Sequence, residues 1–562
     1  MSFRLKLFLS AMYLFLAFNS ADAQELELTI KSSSVNENDA INSIGYSKTH
    51  KNYVALKLQM DSFKNRAQKL GYIEVKVQDI TKTTLTVNVL LSLGPKYKSI
   101  QIYASKALFE LLELTPKQDE NKKVYYLSDI QRLESLLNSI TNLLASKSYP
   151  FATVSLKNIK PFDNITLKAD LSLDTKQARQ LNTVEIKGYD KFPRSFITHF
   201  LGIKTNTPFN LKAIQAKTKT LDQISFSEQL RPAEVLFTKD TTSVYLYLKK
   251  NKSNQFEGFL GFGSKQTTGN LELNGYINLN LVNNLNYGES FILNYRNDEN
   301  DLKKFNTKLT LPYLFRSRIG SELKLSLFKK DSTFTTAEQS ANLYYQLNQR
   351  QKLFLGVKTA QSNALNPVES STVIDYRTTS YELRGSYLNR TPKELLFPVK
   401  SEIEIQLSRA RRKTTVSKIN QNFYSIKAAH LFNFNTTNSL YINLTGQMID
   451  SKNYLSNELL RFGGIKTIRG FEENSINANT FGVIASEYRL RLSSTLYIHS
   501  IIDVAYFNTP IKQDQKLAGI GIGFGLKTEA GILKFNLANG QIENQKFKFA
   551  NSKVHLSLTA TF

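Results

Sequence analysis

Arg469 stands in the run Arg461-Phe-Gly-Gly-Ile-Lys-Thr-Ile-Arg-Gly-Phe471, and the chemistry it offers is recognition of a carboxylate rather than covalent catalysis. A guanidinium is a planar fork that grips a carboxylate with two parallel hydrogen bonds. Gly463, Gly464 and Gly470 let the backbone turn tightly around it, and Phe471 sets an aromatic ring beside the cation. Candidate partners follow in two alternating segments, residues 481–492 and 496–507. In the first, Ile484, Tyr488, Leu490 and Leu492 share one face, leaving Glu487, Arg489 and Arg491 on the other. In the second, Ile498, Ile502, Val504 and Tyr506 lie opposite His499 and Asp503. Spacing alone leaves two readings open. Either Arg469 folds back onto Asp503 and Glu487, or both carboxylates are solvated among ordinary arginines.

Other chemistries find no support. The chain has no cysteine, which removes disulfides, thiolate metal sites and a lipoprotein anchor. Its five histidines are scattered with no ligand spacing, and no Walker motif, G-x-S-x-G or patatin-like nucleophile occurs. The expectation is a non-enzyme with no metal and no cofactor. Residues 1–23 read as a cleaved secretory signal: Arg4 and Lys6, an apolar stretch, then Ala21-Asp22-Ala23. A secreted protein meets no genome, so the net charge of +26 is not read as nucleic-acid binding. Spread along the chain, it suits the phosphates of membrane lipids.

Two kinds of element must position these residues. Residues 24–250 mix short strands with amphipathic helices. A helix is expected over 52–70, with Leu56, Met60, Phe63 and Ala67 at helical spacing and Gly71 as its stop. Strands are expected at 73–77 and 84–91, and a second unit carries a helix over 127–145 with strands at 151–156 and 165–171. A third unit opens at residues 183–188, has helical segments near 194–201 and 211–224, and closes with strands at 233–237 and 243–249. The recurring order of strand, helices, strand, strand predicts three modules, 24–94, 95–178 and 179–252.

From residue 253 helical spacing gives way to period-2 alternation, as in Leu323, Leu325 and Leu327 against Glu322, Lys324 and Ser326. Such strands show lipid one face and a polar lumen the other, and closing them into a barrel satisfies every backbone edge. About sixteen candidate strands fit residues 253–562. The 36 Phe and 27 Tyr suit aromatic girdles in a chain without Trp. Gly519, Gly521, Gly523 and Gly525 share one inner face, which leaves room for a loop backbone.

The run 462–471, with Glu487-Tyr488-Arg489 and Asp503 after it, resembles the in-folded loop signature of the bacterial outer-membrane assembly and translocation superfamily. That superfamily includes the BamA and TamA types, the two-partner secretion translocators and the bacterial surface antigen proteins. The resemblance covers the barrel and the last module best and the first module least. One departure is Ala505, where the family usually has a glycine two residues past the aspartate.

The resemblance implies α+β POTRA-like modules followed by an all-β transmembrane barrel, in the outer membrane with the modules in the periplasm. It implies a lateral gate between the first strand, with Gly258, Gly261 and Gly263, and the last, ending at Phe562. A client strand would pair there by β-augmentation. The implied partners are unfolded outer-membrane clients, outer-membrane lipids and lipopolysaccharide, and a periplasmic protein of the TamB kind. With about three modules, a TamA-like assembly role leads. A two-partner secretion pore is the alternative, against which stand the third module and the absence of an evident N-terminal plug helix.

Overall fold

The computed structural model describes residues 25–561 except 265–270, 298–301, 366–372, 392–393, 395, 544–547 and 550–551. The expected signal segment and Phe562 lie outside the described residues. The chain divides into two compact units, residues 1–179 with 208–210, and residues 180–207 with 211–562.

The first unit holds two α+β sheets. In one, Leu26–Lys31 pairs in parallel with Thr86–Ser92, which pairs antiparallel with Lys76–Lys82. Helix Tyr53–Lys69 covers this sheet because Leu56, Phe63 and Ala67 fall on one stripe. Asn52 caps its start by accepting from the Ala55 N–H. The neighbouring strand begins at Lys76 and runs to Lys82, later than the expected 73–77.

The second sheet repeats the pattern, with Ser99–Tyr103 parallel to Thr166–Asp174 and Thr153–Pro161 antiparallel beside it. Its helix, Ile130–Ser146, starts three residues after the expected position. The β-forming Val124, Tyr125 and Tyr126 extend as a strand, and Asp129 then caps the helix.

A third sheet opens the second unit. Thr183–Lys187 is parallel to Thr242–Lys250, with Ser227–Phe237 antiparallel to it. All three sheets therefore place the first strand parallel to the last, the last strand lying between the first and its predecessor. The helical segment expected near 194–201 is a short π-helical turn, Phe196–Phe200.

This module packs on one end of the barrel. Phe196 meets Tyr313 edge-to-face at 4.8 Å, and His199 stacks on the same ring. Gln223 Nε2 donates to the Arg390 carbonyl at 2.9 Å, and Arg390 N–H returns the bond to Gln223 Oε1 at 2.8 Å. Gly288 is required here. A Cβ on it would lie 2.0 Å from the Phe196 ring.

Sixteen antiparallel strands close the barrel. Their outward residues are large and apolar. Leu353, Leu355 and Val357 on one strand, and Ile403, Ile405 and Leu407 on another, stand exposed, Leu355 at 67%. Inward positions hold Glu322, Glu382, Arg384 and Asn342, all buried. An apolar outer belt around a polar interior is the pattern lipid imposes on a spanning sheet.

Candidate functional site

The eleventh strand, Asn438–Asp450, and the twelfth, Thr480–Arg491, are joined by a long segment that folds inside the barrel. Its stem is a small hairpin, Leu460–Phe462 with Ile476–Ala478. Between them, Gly463 and Gly464 take φ of 117° and 92°, the left-handed side that Gly adopts readily. The turn is closed by Gly463 N–H donating to Thr467 Oγ1 at 2.8 Å and Gly464 N–H to the Ile468 carbonyl at 3.0 Å. Phe462 and Ile468 bury against wall residues Phe481, Val483, Ala505 and Leu517, and Phe462 stacks on Phe481 at 4.5 Å. Ala505 is thus a packing residue of the plug. Its methyl, the departure from the resembled signature, is accommodated in that packing.

This turn delivers Arg469 to the wall. Its backbone N–H and its Nε both donate to Asp503 Oδ2, at 2.9 and 2.8 Å, and Nη2 donates to Oδ1 at 2.6 Å. Nη1 donates to Glu487 Oε1 at 2.5 Å. Asp503 is 0% exposed and Arg469 4%. Glu487 is held from its other side by Arg489 at 2.7 Å, and Arg489 in turn lies over the Tyr441 and Phe397 rings. The two open readings therefore resolve in favour of the folded-back loop. Arg469 pairs with both carboxylates.

The glycines behave less uniformly than expected. Gly519 makes room for the plug, since a Cβ there would lie 2.3 Å from the Arg469 carbonyl. Gly521 instead clears the neighbouring strand's backbone, Gly523 the His499 ring and Gly525 the Tyr497 ring, so three of the four do not serve the loop. The second close approach was missed: Gly470, at φ 92°, faces Gly540, and a Cβ on either would lie within 2.4–2.5 Å of the other's backbone. Phe471 covers Gly540. A lone Gly inside the strand Ile532–Ile542 was the available signal, since such glycines mark close backbone approach.

Also missed was a second anchor of opposite polarity. Arg412, 1% exposed on the ninth strand (Val399–Lys413), donates to Glu458 and Asn453 at the start of the plug segment. Gln421 Nε2 donates to Glu458 Oε2 at 3.1 Å. Asn457 Nδ2 donates to Ser362 Oγ at 2.9 Å and to the Ile374 carbonyl at 3.0 Å. Of the four cations in the run Arg409-Ala-Arg-Arg-Lys413, only Arg412 has the inward parity.

The seam between the first strand, Gln255–Ser264, and the sixteenth, Ser552–Thr561, is the weak closure. Gln255 is in register with Thr561 and Phe256 with Ala560, and no further pairs are made there among the described residues. On its other side the first strand pairs along its whole length, including Gly258 with Ile277, Gly261 with Asn274 and Gly263 with Glu272. Glu257 accepts from Thr559 Oγ1 across the seam at 3.1 Å. The plug reaches this region: Glu472 pairs with Lys553 of the sixteenth strand at 3.1 Å. Between the plug tip and the early strands lies a polar cavity of about 510 Å³, lined by Asn278, Asn294, Arg296, Lys304, Asn306 and His555 among others.

No protein-family model and no curated protein matches the sequence. Solved structures do. CdiB from Escherichia coli superposes with a TM-score of 0.52 at 14% identity, over 95% of this chain and 100% of that one. BamA from Haemophilus ducreyi lacking POTRA domains 1–3 superposes with a TM-score of 0.50 at 15% identity, over 83% of this chain and 100% of that one. The chain has the BamA and CdiB fold. It is a sixteen-stranded barrel of that type preceded by POTRA-like α+β modules, and the likeness at this identity concerns the fold.

Proposed function

We propose that this protein is a non-enzymatic outer-membrane factor that handles client polypeptides, its barrel in the bacterial outer membrane and its POTRA-like modules in the periplasm. The reading is TamA-like: client β-strands pair with the exposed edges of the seam strands and enter the membrane laterally, driven by their own folding. The observation that carries it is the seam, tied by Gln255–Thr561 and Phe256–Ala560, where a strand edge can be freed at little cost. The latched plug supports it by bracing strands twelve to sixteen, so that one lip of the seam is rigid. Unfolded outer-membrane proteins are the proposed clients, and a periplasmic partner of the TamB kind is proposed beside them.

A second reading, a two-partner secretion pore exporting one dedicated protein, draws on the polar cavity beside the plug. Depletion of the protein followed by profiling of the outer-membrane proteome separates the two. Broad loss of barrel proteins supports assembly. Loss of a single surface protein supports secretion, and an unchanged proteome rejects both.

A further inference from the structure

At the barrel end opposite the third module, the outer wall carries a block of cations. Arg409, Arg411 and Lys413 continue the outward row of Ile403, Ile405 and Leu407 on the ninth strand. On the strands to either side, Arg377 (Tyr376–Arg390) and Lys418 (Lys418–Asn433) face the same way. All five are exposed, and among the described residues no carboxylate pairs with any of them. Strand rise puts Arg409 and Lys413 about 13 Å apart along the strand.

The register makes this costly for the protein alone. Arg377 lies directly opposite Lys413, and Lys413 directly opposite Lys418, a row of three like charges across three strands. Like charges directly opposed on a sheet face repel and destabilise it. At the block's lower edge Tyr381 is in register with Arg409, and just below it Tyr424 is in register with Leu407, aromatic residues where a membrane interface lies. The opposite end of the same strand, Arg390, touches the third module, so the block sits at the far leaflet.

We infer that Arg377, Arg409, Arg411, Lys413 and Lys418 form a binding shelf for the phosphate groups of the outer leaflet's multiply phosphorylated glycolipid. Two of the cations are arginines on one strand at i and i+2, able to take phosphate oxygens bidentately, while the lysines act as point charges. The acyl chains would lie on the Leu407, Ile405 and Ile403 row below. The inference rests on the outer-membrane placement proposed above, but not on the gate or the plug.

The test uses the full chain in detergent, with bisphosphorylated lipid A, its monophosphoryl form and phosphatidylglycerol as probes, binding read by native mass spectrometry. The wild-type protein is expected to hold lipid A at least tenfold more tightly than phosphatidylglycerol, with the monophosphoryl form between. Arg409→Gln with Arg411→Gln should remove that preference. Lys413→Glu should weaken lipid A binding tenfold or more while raising the melting temperature of the lipid-free protein, since it turns two repulsions into attractions. Equal binding of lipid A and phosphatidylglycerol, or lipid A binding unchanged in either variant, overturns the shelf. Lipid A binding as expected, with an outer-membrane proteome unchanged on depletion, would count against the client-handling reading alone.

Discussion

Arg469 and Asp503 meet through three hydrogen bonds, one from the arginine backbone and two from its guanidinium, in a site where the carboxylate has no exposure. Removing one partner of such a pair strands a buried charge, which costs about 3–5 kcal/mol. Arg469→Ala is therefore expected to release the plug and abolish client handling, measured by complementation of a depleted strain. Arg469→Lys should fail to restore it, because an ammonium cannot bridge Asp503 and Glu487 as the fork does. Asp503→Asn should act in the same direction. Wild-type behaviour of Arg469→Ala would remove the plug from the mechanism.

The Gly470–Gly540 approach predicts a steric phenotype independent of charge. Gly470→Ala and Gly540→Ala should each displace the plug, the first with added backbone strain at φ 92°. Gly482→Ala, where a new methyl meets nothing within 4 Å, should be silent. Complementation and limited proteolysis of the plug in the same three variants check this. A silent Gly540→Ala would contradict it.

Arg412 and Glu458 should hold the plug's first arm as Arg469 holds its tip. The chain has no cysteine, so Ile468→Cys, fully buried in the latched state, is a clean reporter. Maleimide labelling of that site is expected to rise at least tenfold in Arg412→Ala and in Glu458→Gln, with the barrel still folded by its heat-modifiable mobility. Unchanged labelling would reduce Arg412 to ordinary wall packing.

Docking of the third module should depend on pH through His199. Burial, reinforced by the nearby cations of Arg318 and Lys204, holds its pKa below the ordinary 6.5. The His199 ring stacks on Tyr313. A depressed folded pKa means the stabilisation is complete above the ordinary value and is lost as pH falls through the lowered one. Amide exchange at Phe196–Phe200, corrected for intrinsic rate, should therefore speed up between about pH 7.5 and pH 5. His199→Phe should flatten that dependence.

The barrel was legible in the sequence because lipid outside and water inside force a strict period-2 code, as in Ile403, Ile405 and Leu407 against Glu404 and Gln406. The latch was half legible: Glu487 and Asp503 each sit at an inward parity, but Arg469 lies in a turn between strands, where spacing alone left open whether it folds back onto them. What escaped was whatever depends on strand stagger. Arg412 and Glu458 are 46 residues apart, and only the barrel's register brings them together. The same holds for Gly470 against Gly540, and for the row Arg377, Lys413 and Lys418. The late start of the Ile130–Ser146 helix reflects local competition, in which Val124–Tyr126 prefer a strand and Asp129 supplies the cap.

The seam is tested most directly by closing it. Cysteines at Phe256 and Ala560, in register across the first and sixteenth strands, would form a disulfide under oxidising conditions and release it on reduction. The account predicts that the oxidised protein no longer supports client insertion and that reduction restores it, while either single cysteine stays active throughout. Full activity of the oxidised, fully cross-linked protein would contradict the lateral route.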